Sequence, residues 1–274
     1  MESVSQNIRT PDEVWTELRE EGARWLAAAV PGDPIALLVN RLLLPSRSFV
    51  DLVSTCAARD LGDSIVSEDL LAREFEAILG SRSVLQETVA ADLRAYVDRD
   101  PASYGLLATL FFAKGFQGLV VYRMAHQLWL DGRIPLALHL NARATRRLGI
   151  DIHPASRFGR GIFIDHGTGL VVGETSVIGD DVSMLQGVTL GGTGKEHGDR
   201  HPKVHSGVLL GAGAKVLGNI TIGTNARVGA GSVVLQSVPA YCTAVGIPAR
   251  IVRNEDRVAP ATSMDQHFPL EYEI

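Results

Sequence analysis

The sequence predicts an α+β chain. An all-helical domain, residues 1–148, is followed by a parallel β-helix, residues 149–252, and a polar tail, residues 253–274. Three observations carry this reading. From Ile152 to Val238 apolar anchors recur every six residues. The first half instead shows helix-start signals and an apolar stripe of helical period. Between Leu190 and Val204 the six-residue spacing is broken by a polar, glycine-rich segment.

The repeat runs through Ile152, Phe158 and Ile164. After a two-residue slip it continues at Val172, Ile178, Met184 and Leu190, and it resumes at Val204, Leu210, Val216, Ile222, Val228 and Val234. A helix repeats at 3.6 and a plain strand at 2, so a sustained period of six fits neither. It fits a solenoid of short strands and tight corners, each anchor stacking on the one a turn away. Anchors in three successive registers speak against a sandwich of ordinary short strands. Four residues after each anchor stands a small or β-branched residue, from Ser156, Thr168 and Ser176 to Ala226 and Ser232. Glycine often follows the anchor directly, as at Gly159, Gly173, Gly179, Gly211, Gly223 and Gly229, and is expected there for corners of positive φ.

In the first half, Thr10-Pro11-Asp12-Glu13 reads as N-cap, first-turn proline and capping-box acid. Val14, Leu18, Trp25 and Ala29 then share one face, and Pro31-Gly32-Asp33-Pro34 ends the helix. Further helices are expected over 35–44, 49–59, 68–79, 84–97, 106–130 and 135–147, with short connections that favour antiparallel packing. The stretch 105–130 is the most apolar. Lys114, Gln117, Arg123, His126 and Gln127 interrupt it, which a membrane span tolerates poorly, so it reads as a buried or oligomer-facing helix. Asp100-Pro101 has the form of a helix N-cap.

The net charge of −5, with no basic run, argues against nucleic acid or an anionic membrane as partner. Cys56 and Cys242 have no metal-ligand spacing and read as buried thiols, and Met1 to Arg9 is polar rather than signal-like. A cytoplasmic protein is expected. The tail, 253–274, lacks periodicity and reads as mobile. Fourteen residues separate Leu190 from Val204, so the segment between them should project as a loop, a common carrier of function on a rigid scaffold.

Polar motifs mark the chemistry: Asp151-Ile152-His153-Pro154, Asp165-His166-Gly167-Thr168-Gly169, Gly173-Glu174-Thr175, and Gly191-Gly192-Thr193-Gly194-Lys195 followed by Gly198-Asp199-Arg200-His201-Pro202. A histidine titrates near neutrality and suits a general base, whereas a lone histidine is more often structural. With Arg99-Asp100-Pro101-Ala102 and Lys114-Gly115-Phe116, this set resembles the serine O-acetyltransferases of the hexapeptide-repeat superfamily over most of the chain. Gly167 stands where relatives often have alanine.

The resemblance implies a left-handed coil and transfer of acetyl from acetyl-CoA to the hydroxyl of L-serine. It implies His166 as general base with Asp151 as its dyad partner, although Asp151 also reads as a corner cap. For the zwitterionic substrate it implies Arg200 on the carboxylate, Asp100 and Asp165 on the ammonium, and His201 beside them. Glu174 reads equally as a pocket member and as a solvated corner carboxylate. Acetyl-CoA should lie against Gly192, Thr193, Gly211, Ala212, Gly229 and Ala230, with Lys195, Lys215, Arg227 and Arg250 as candidates for its phosphates. No metal is expected.

The resemblance further implies L-cysteine as feedback inhibitor, a homotrimer or a hexamer of two trimers, and O-acetylserine sulfhydrylase as a partner captured through Ile274. The alternatives are a hexapeptide enzyme acting on homoserine or a sugar hydroxyl, and a non-enzymatic or metal-binding β-helix using His153, His166, His197, His201 and His205. An acetyl-cysteine intermediate is the competing mechanism, but neither Cys56 nor Cys242 has a paired histidine motif.

Overall fold

The structure, a computed structural model, describes residues 10–59, 61–194, 197–253 and 259–266. It comprises two compact units, Met1–Arg147 and Leu148–Ile274.

The first unit is helical: α1 (Pro11–Ala28), α2 (Pro34–Leu42), α3 (Phe49–Ala58), α4 (Glu68–Gly80), α5 (Ser83–Arg99), α6 (Leu106–Phe112), α7 (Lys114–Leu130) and α8 (Ile134–Leu148). The capping box forms. Thr10 Oγ1 accepts from the Glu13 amide at 3.3 Å, and the Glu13 carboxylate accepts from the Thr10 amide at 2.7 Å. Asp33, Ser48 and Ser67 cap α2, α3 and α4 with a side-chain oxygen that accepts from the amide of Ile35, Asp51 and Leu70 respectively. Val14 and Leu18 of α1 are buried, along with Leu52, Phe75, Leu93 and Phe116.

The single helix expected over 106–130 is two. Ala113 leaves helical geometry at φ −75°, ψ 100°. The Phe111 carbonyl beside the break is satisfied by Arg59 Nη2 at 3.0 Å and Gln117 Nε2 at 2.9 Å, so the break leaves no orphan acceptor there. α7 is buried nearly all round. Its Arg123 meets Asp92 in a two-point pair at 3.0 and 3.2 Å, with side chains only 6% and 1% exposed. Burying one charge without the other would cost several kcal/mol, so the pair explains how an arginine sits in an apolar helix. No described helix is long and apolar enough to cross a membrane.

The second unit is a parallel β-solenoid of three sheets. The first sheet stacks β1 (Ile150–Ile152), β4 (Leu170–Val172), β7 (Thr189–Gly191), β10 (Lys215–Leu217) and β13 (Val233–Val234). The second stacks β2 (Arg157–Phe158), β5 (Val177–Ile178), β8 (Lys203–Val204) and β11 (Thr221–Ile222). The third stacks β3 (Phe163–Ile164), β6 (Ser183–Met184), β9 (Leu209–Leu210), β12 (Arg227–Val228), β14 (Cys242–Gly246) and β15 (Ala249–Arg253). The anchors fill the interior: Met184, Leu190, Leu210, Val216 and Ile222 have no exposed surface. Phe158, in the first turn, is half-buried.

Turn length follows the spacing in the sequence. Val171 pairs with Thr189, eighteen residues on, but Ile150 pairs with Leu170 after twenty and Thr189 with Lys215 after twenty-six. The two-residue slip widens the corner at 165–169. There Thr168, four residues after its anchor, is exposed, and Leu170 is buried. The eight extra residues of the third turn form the loop between β7 and β8.

The glycines after the anchors are required for a different reason from the one expected. None of those six has positive φ; that conformation belongs to other corner residues, among them Gly169, Gly187, Gly213 and Gly231. Five of the six post-anchor glycines, Gly159, Gly173, Gly179, Gly211 and Gly223, lie where the next turn passes too close for a side chain. A Cβ on Gly211 would stand 2.6 Å from the Ala230 amide nitrogen, and one on Gly223 2.4 Å from that of Ala240.

The solenoid closes with an antiparallel hairpin, β14 against β15. Part of the tail expected to be mobile is folded onto the coil. In α9 (Pro260–Ser263), Pro260 and Ala261 are buried, and the Ala261 carbonyl accepts from Ser183 Oγ at 2.8 Å. Asp265 lies 3.4 Å from Arg227. The expected partner anchor, Ile274, lies outside the described residues.

Candidate active site

The candidate residues of the solenoid gather at two corners, one at each end of the first sheet. At the first, the chain leaves β3 and climbs to β4. Asp165 donates its amide to the Met184 carbonyl at 2.8 Å, and Gly169 donates to Gly149 at 2.7 Å. His166 adopts φ 56°, the left-handed region, and Gly167 and Gly169 follow at 75° and 76°. Histidine enters this region more readily than most side chains. The result is an imidazole 75% exposed, with Nε2 3.7 Å from Asp165 Oδ1. Gly167 is packed rather than free: a Cβ there would stand 2.8 Å from Ile150 Cδ1. Ile150 precedes Asp151 in β1. The corner of His166 therefore closes the turn that Asp151 opens, and the two belong to one turn rather than to neighbouring ones. Asp151 is half-buried and its charge also acts on His153.

Below His166 the same corner recurs at Gly211-Ala212 and Gly229-Ala230, tied by the Gly211 amide to the Val228 carbonyl at 2.8 Å. Glycine and alanine, with at most a methyl group each, are thus stacked along this edge. Gly192 and Thr193 lie at the other corner, so the six positions expected for acetyl-CoA divide between two edges. Lys215 is turned back onto the first sheet, donating to the Gly187 carbonyl and to Thr189 Oγ1. Arg227 faces Asp265, Arg250 is exposed in β15, and Lys195 lies outside the described residues.

At the second corner, between the first and second sheets, the projecting loop returns to the coil. Arg200 donates Nη2 to Glu174 Oε2 at 2.7 Å and Nη1 to the Gly198 carbonyl at 3.0 Å. This pairing holds the Glu174 carboxyl below its ordinary range. The His201 ring is 6% exposed and lies on Gly173, where a Cβ would come within 2.0 Å of its Nε2 and Cδ2. Burial, and after it the Arg200 charge, hold His201 below the ordinary 6.5, against the pull of Glu174. Burial lowers His153 likewise, opposed by Glu174 and Asp151. Lys203 bridges the limb, donating to Asp199 Oδ1 at 2.6 Å and to the Thr175 carbonyl at 3.0 Å.

Sequence alone assigns Thr175 and Lys203 no role at this corner, Gly173 only that of a corner glycine, and His153 only that of a ligand in the metal-binding alternative. The signal for two of them was present in the Gly173-Glu174-Thr175 motif, whose glycine and threonine flank the acid that drew attention.

Asp100 belongs to the helical unit. It ends α5 and folds the chain into a turn, its Oδ1 accepting from the Ala102 amide at 2.8 Å. It is not the helix N-cap expected, because α6 begins only at Leu106.

A three-sheet solenoid bearing a corner histidine, with a long loop that brings Arg200 and His201 back to the coil, is the architecture of a hexapeptide-type transferase. The family model described as bacterial transferase hexapeptide (six repeats) matches residues 201–236, and that described as serine acetyltransferase, N-terminal, matches residues 14–120. The chain is 45% identical over 255 residues to "Serine acetyltransferase" of Escherichia coli (strain K12), covering 93% of this chain and 92% of that one. A solved "Serine Acetyltransferase- Complex with Cysteine" superposes with TM-score 0.89 at 44% identity, over 94% of this chain and 99% of that one. The serine acetyltransferase of Brucella abortus strain S19 in complex with coenzyme A superposes with TM-score 0.83 at 43% identity, over 88% and 96%. The chain belongs to the serine acetyltransferase family.

Proposed function

We propose that the protein transfers acetyl from acetyl-CoA to the hydroxyl of L-serine, giving O-acetyl-L-serine and CoA. The observation that carries this reading is the likeness to serine acetyltransferases along more than nine-tenths of the chain. The Arg200–Glu174–His201 corner supports an amino acid as acceptor, because a sugar hydroxyl has no carboxylate for Arg200 to hold.

In this reading His166 takes the serine hydroxyl proton as the oxygen attacks the thioester carbonyl carbon. The carbon–sulfur bond breaks, and the leaving thiolate receives the proton from His166. Asp151 orients the imidazole and stabilises its charged form. Arg200 and His201 hold the carboxylate side, and Asp165 and Asp100 hold the ammonium. Glu174 aims the Arg200 fork. The stacked backbone at Gly211-Ala212 and Gly229-Ala230 receives the pantetheine arm, and Gly192-Thr193 borders the second corner.

The three residues of a first-sheet strand span about 10 Å. His166 and Arg200 of one chain stand at corners on opposite ends of such a strand. This supports an assembly, a homotrimer or a pair of trimers, in which each site joins the His166 corner of one coil to the Arg200 corner of another. L-cysteine, which differs from serine by sulfur for oxygen, fits the same groups as a competitive inhibitor. O-acetylserine sulfhydrylase is the expected partner of the tail, and the cytoplasm the expected compartment.

Thiol release from acetyl-CoA, measured with L-serine, L-homoserine and a galactoside as acceptors, tests the reading. L-serine should be strongly preferred. Preference for either other acceptor would reject it.

A further inference from the structure

We infer that Thr175 is a positioning residue that fixes both the tautomer of His201 and the path of the loop carrying Arg200. The inference rests on the proposed function only for its kinetic arm. Thr175 Oγ1 accepts the backbone N–H of Arg200 at 3.1 Å and that of His201 at 3.1 Å. With both lone pairs so engaged, its single proton is left for His201 Nδ1, at 2.9 Å, or for the Asp199 carboxylate. The Thr175 amide also points at His201 Nδ1, at 3.2 Å. An amide can only donate, so Nδ1 is the acceptor and the ring proton sits on Nε2. A second proton on Nδ1 would set N–H against N–H in a buried place. His201 is thereby held as a neutral ring presenting a donor at Nε2, which no described residue engages. It serves the substrate as a hydrogen-bond donor, not as a second base beside His166.

The hydroxyl matters for a different reason. Arg200 and His201 lie at the return of the loop, and two adjacent amides of that return end on one oxygen. Without it they would be left without an acceptor, and the limb would shift with the guanidinium it carries. The fixed element on the other side is the coil itself, since Thr175 follows Gly173-Glu174 at the start of the next inward-packed stretch.

Two measurements decide the matter. The first is 15N NMR of histidine-labelled wild-type protein without substrate, with the His201 resonances assigned by loss in His201→Asn. The expected spectrum has a pyridine-like Nδ1 and a protonated, pyrrole-like Nε2 that persist below the ordinary histidine range. A proton on Nδ1 would overturn the inference. The second compares Thr175→Val with Thr175→Ser. The valine variant should raise KM for L-serine about tenfold and leave KM for acetyl-CoA nearly unchanged, and the serine variant should restore the wild-type value. An unchanged serine KM in folded Thr175→Val would also overturn it. If the valine variant does not fold, the wild-type spectrum still decides the tautomer. If the wild type does not acetylate serine at all, the proposed function fails while the spectrum still tests this inference.

Discussion

Arg200 Nη2 lies 2.7 Å from Glu174 Oε2, so the guanidinium that would grip a substrate carboxylate is already aimed by a carboxylate of the coil. Replacing Arg200 with alanine should raise KM for L-serine roughly ten- to a hundredfold, the usual worth of a charge-assisted hydrogen bond. Arg200→Lys should recover little of this, because an ammonium cannot keep both the Glu174 contact and a planar grip on the substrate. Steady-state kinetics with each substrate varied would check it. An equal rise in KM for acetyl-CoA would show instead that the loop had collapsed.

Gly173 provides a test that leaves every charged group in place. Its φ lies outside the left-handed region, so alanine is acceptable to the backbone, yet the new Cβ would stand 2.0 Å from the His201 ring. Gly173→Ala should displace His201 and lower kcat/KM for L-serine by about tenfold or more, with the fold retained by circular dichroism. Wild-type kinetics would mean that His201 does not need its seat on Gly173.

Two histidines, one buried and one half-buried, make stability depend on pH. His153 and His201 are held below the ordinary 6.5, mainly by burial. Below that value the unfolded chain binds more protons than the folded one, so stability falls as the pH drops from about 6.5 through the depressed values. Glu174 and Asp199 are lowered by Arg200 and Lys203, and their contribution is lost only in more acid solution. Thermal melts from pH 7.5 to 5 should show a falling Tm, and the double variant His153→Asn, His201→Asn should flatten the slope.

For the tail, deletion of Ile274 should abolish binding to the host's O-acetylserine sulfhydrylase and leave acetyl transfer intact. In the proposed reading Ile274 is the anchor of the tail, and a short peptide has few others. Titration calorimetry of full-length and shortened proteins would measure it. Equal binding by both, or none by either, would reject the role of Ile274.

Much of the fold is legible in the sequence, because period six reports which side chains face inward. The turn lengths follow from the same spacing, including the wide corner after Ile164 and the excursion after Leu190. The period does not say why a glycine is present. Gly173 and Gly211 looked like residues of positive φ, yet they are open places for a neighbouring turn. That depends on contacts such as Gly173 with His201, set only once the loop's length fixes the register.

The same limit hid Thr175, whose partners lie about twenty-five residues away. The break at Ala113 has no proline to mark it, Gly115 alone does not end a helix, and the Phe111 carbonyl beside it is satisfied by Arg59, far away in the sequence. The folding of residues 259–266 onto the coil leaves no periodic signal in the sequence, since two small buried residues, Pro260 and Ala261, make the contact.

The most direct test of the central claim is quantitation of O-acetyl-L-serine formed from acetyl-CoA and L-serine by the wild type, Asp151→Asn and His166→Ala. The wild type should form it stoichiometrically with CoA. Asp151→Asn should be slower, and His166→Ala should lose roughly a hundred- to ten-thousandfold in kcat while still binding acetyl-CoA. Product formation by His166→Ala at near the wild-type rate would contradict the assignment of His166 as the base, and its absence from the wild type would contradict acetyl transfer to serine itself.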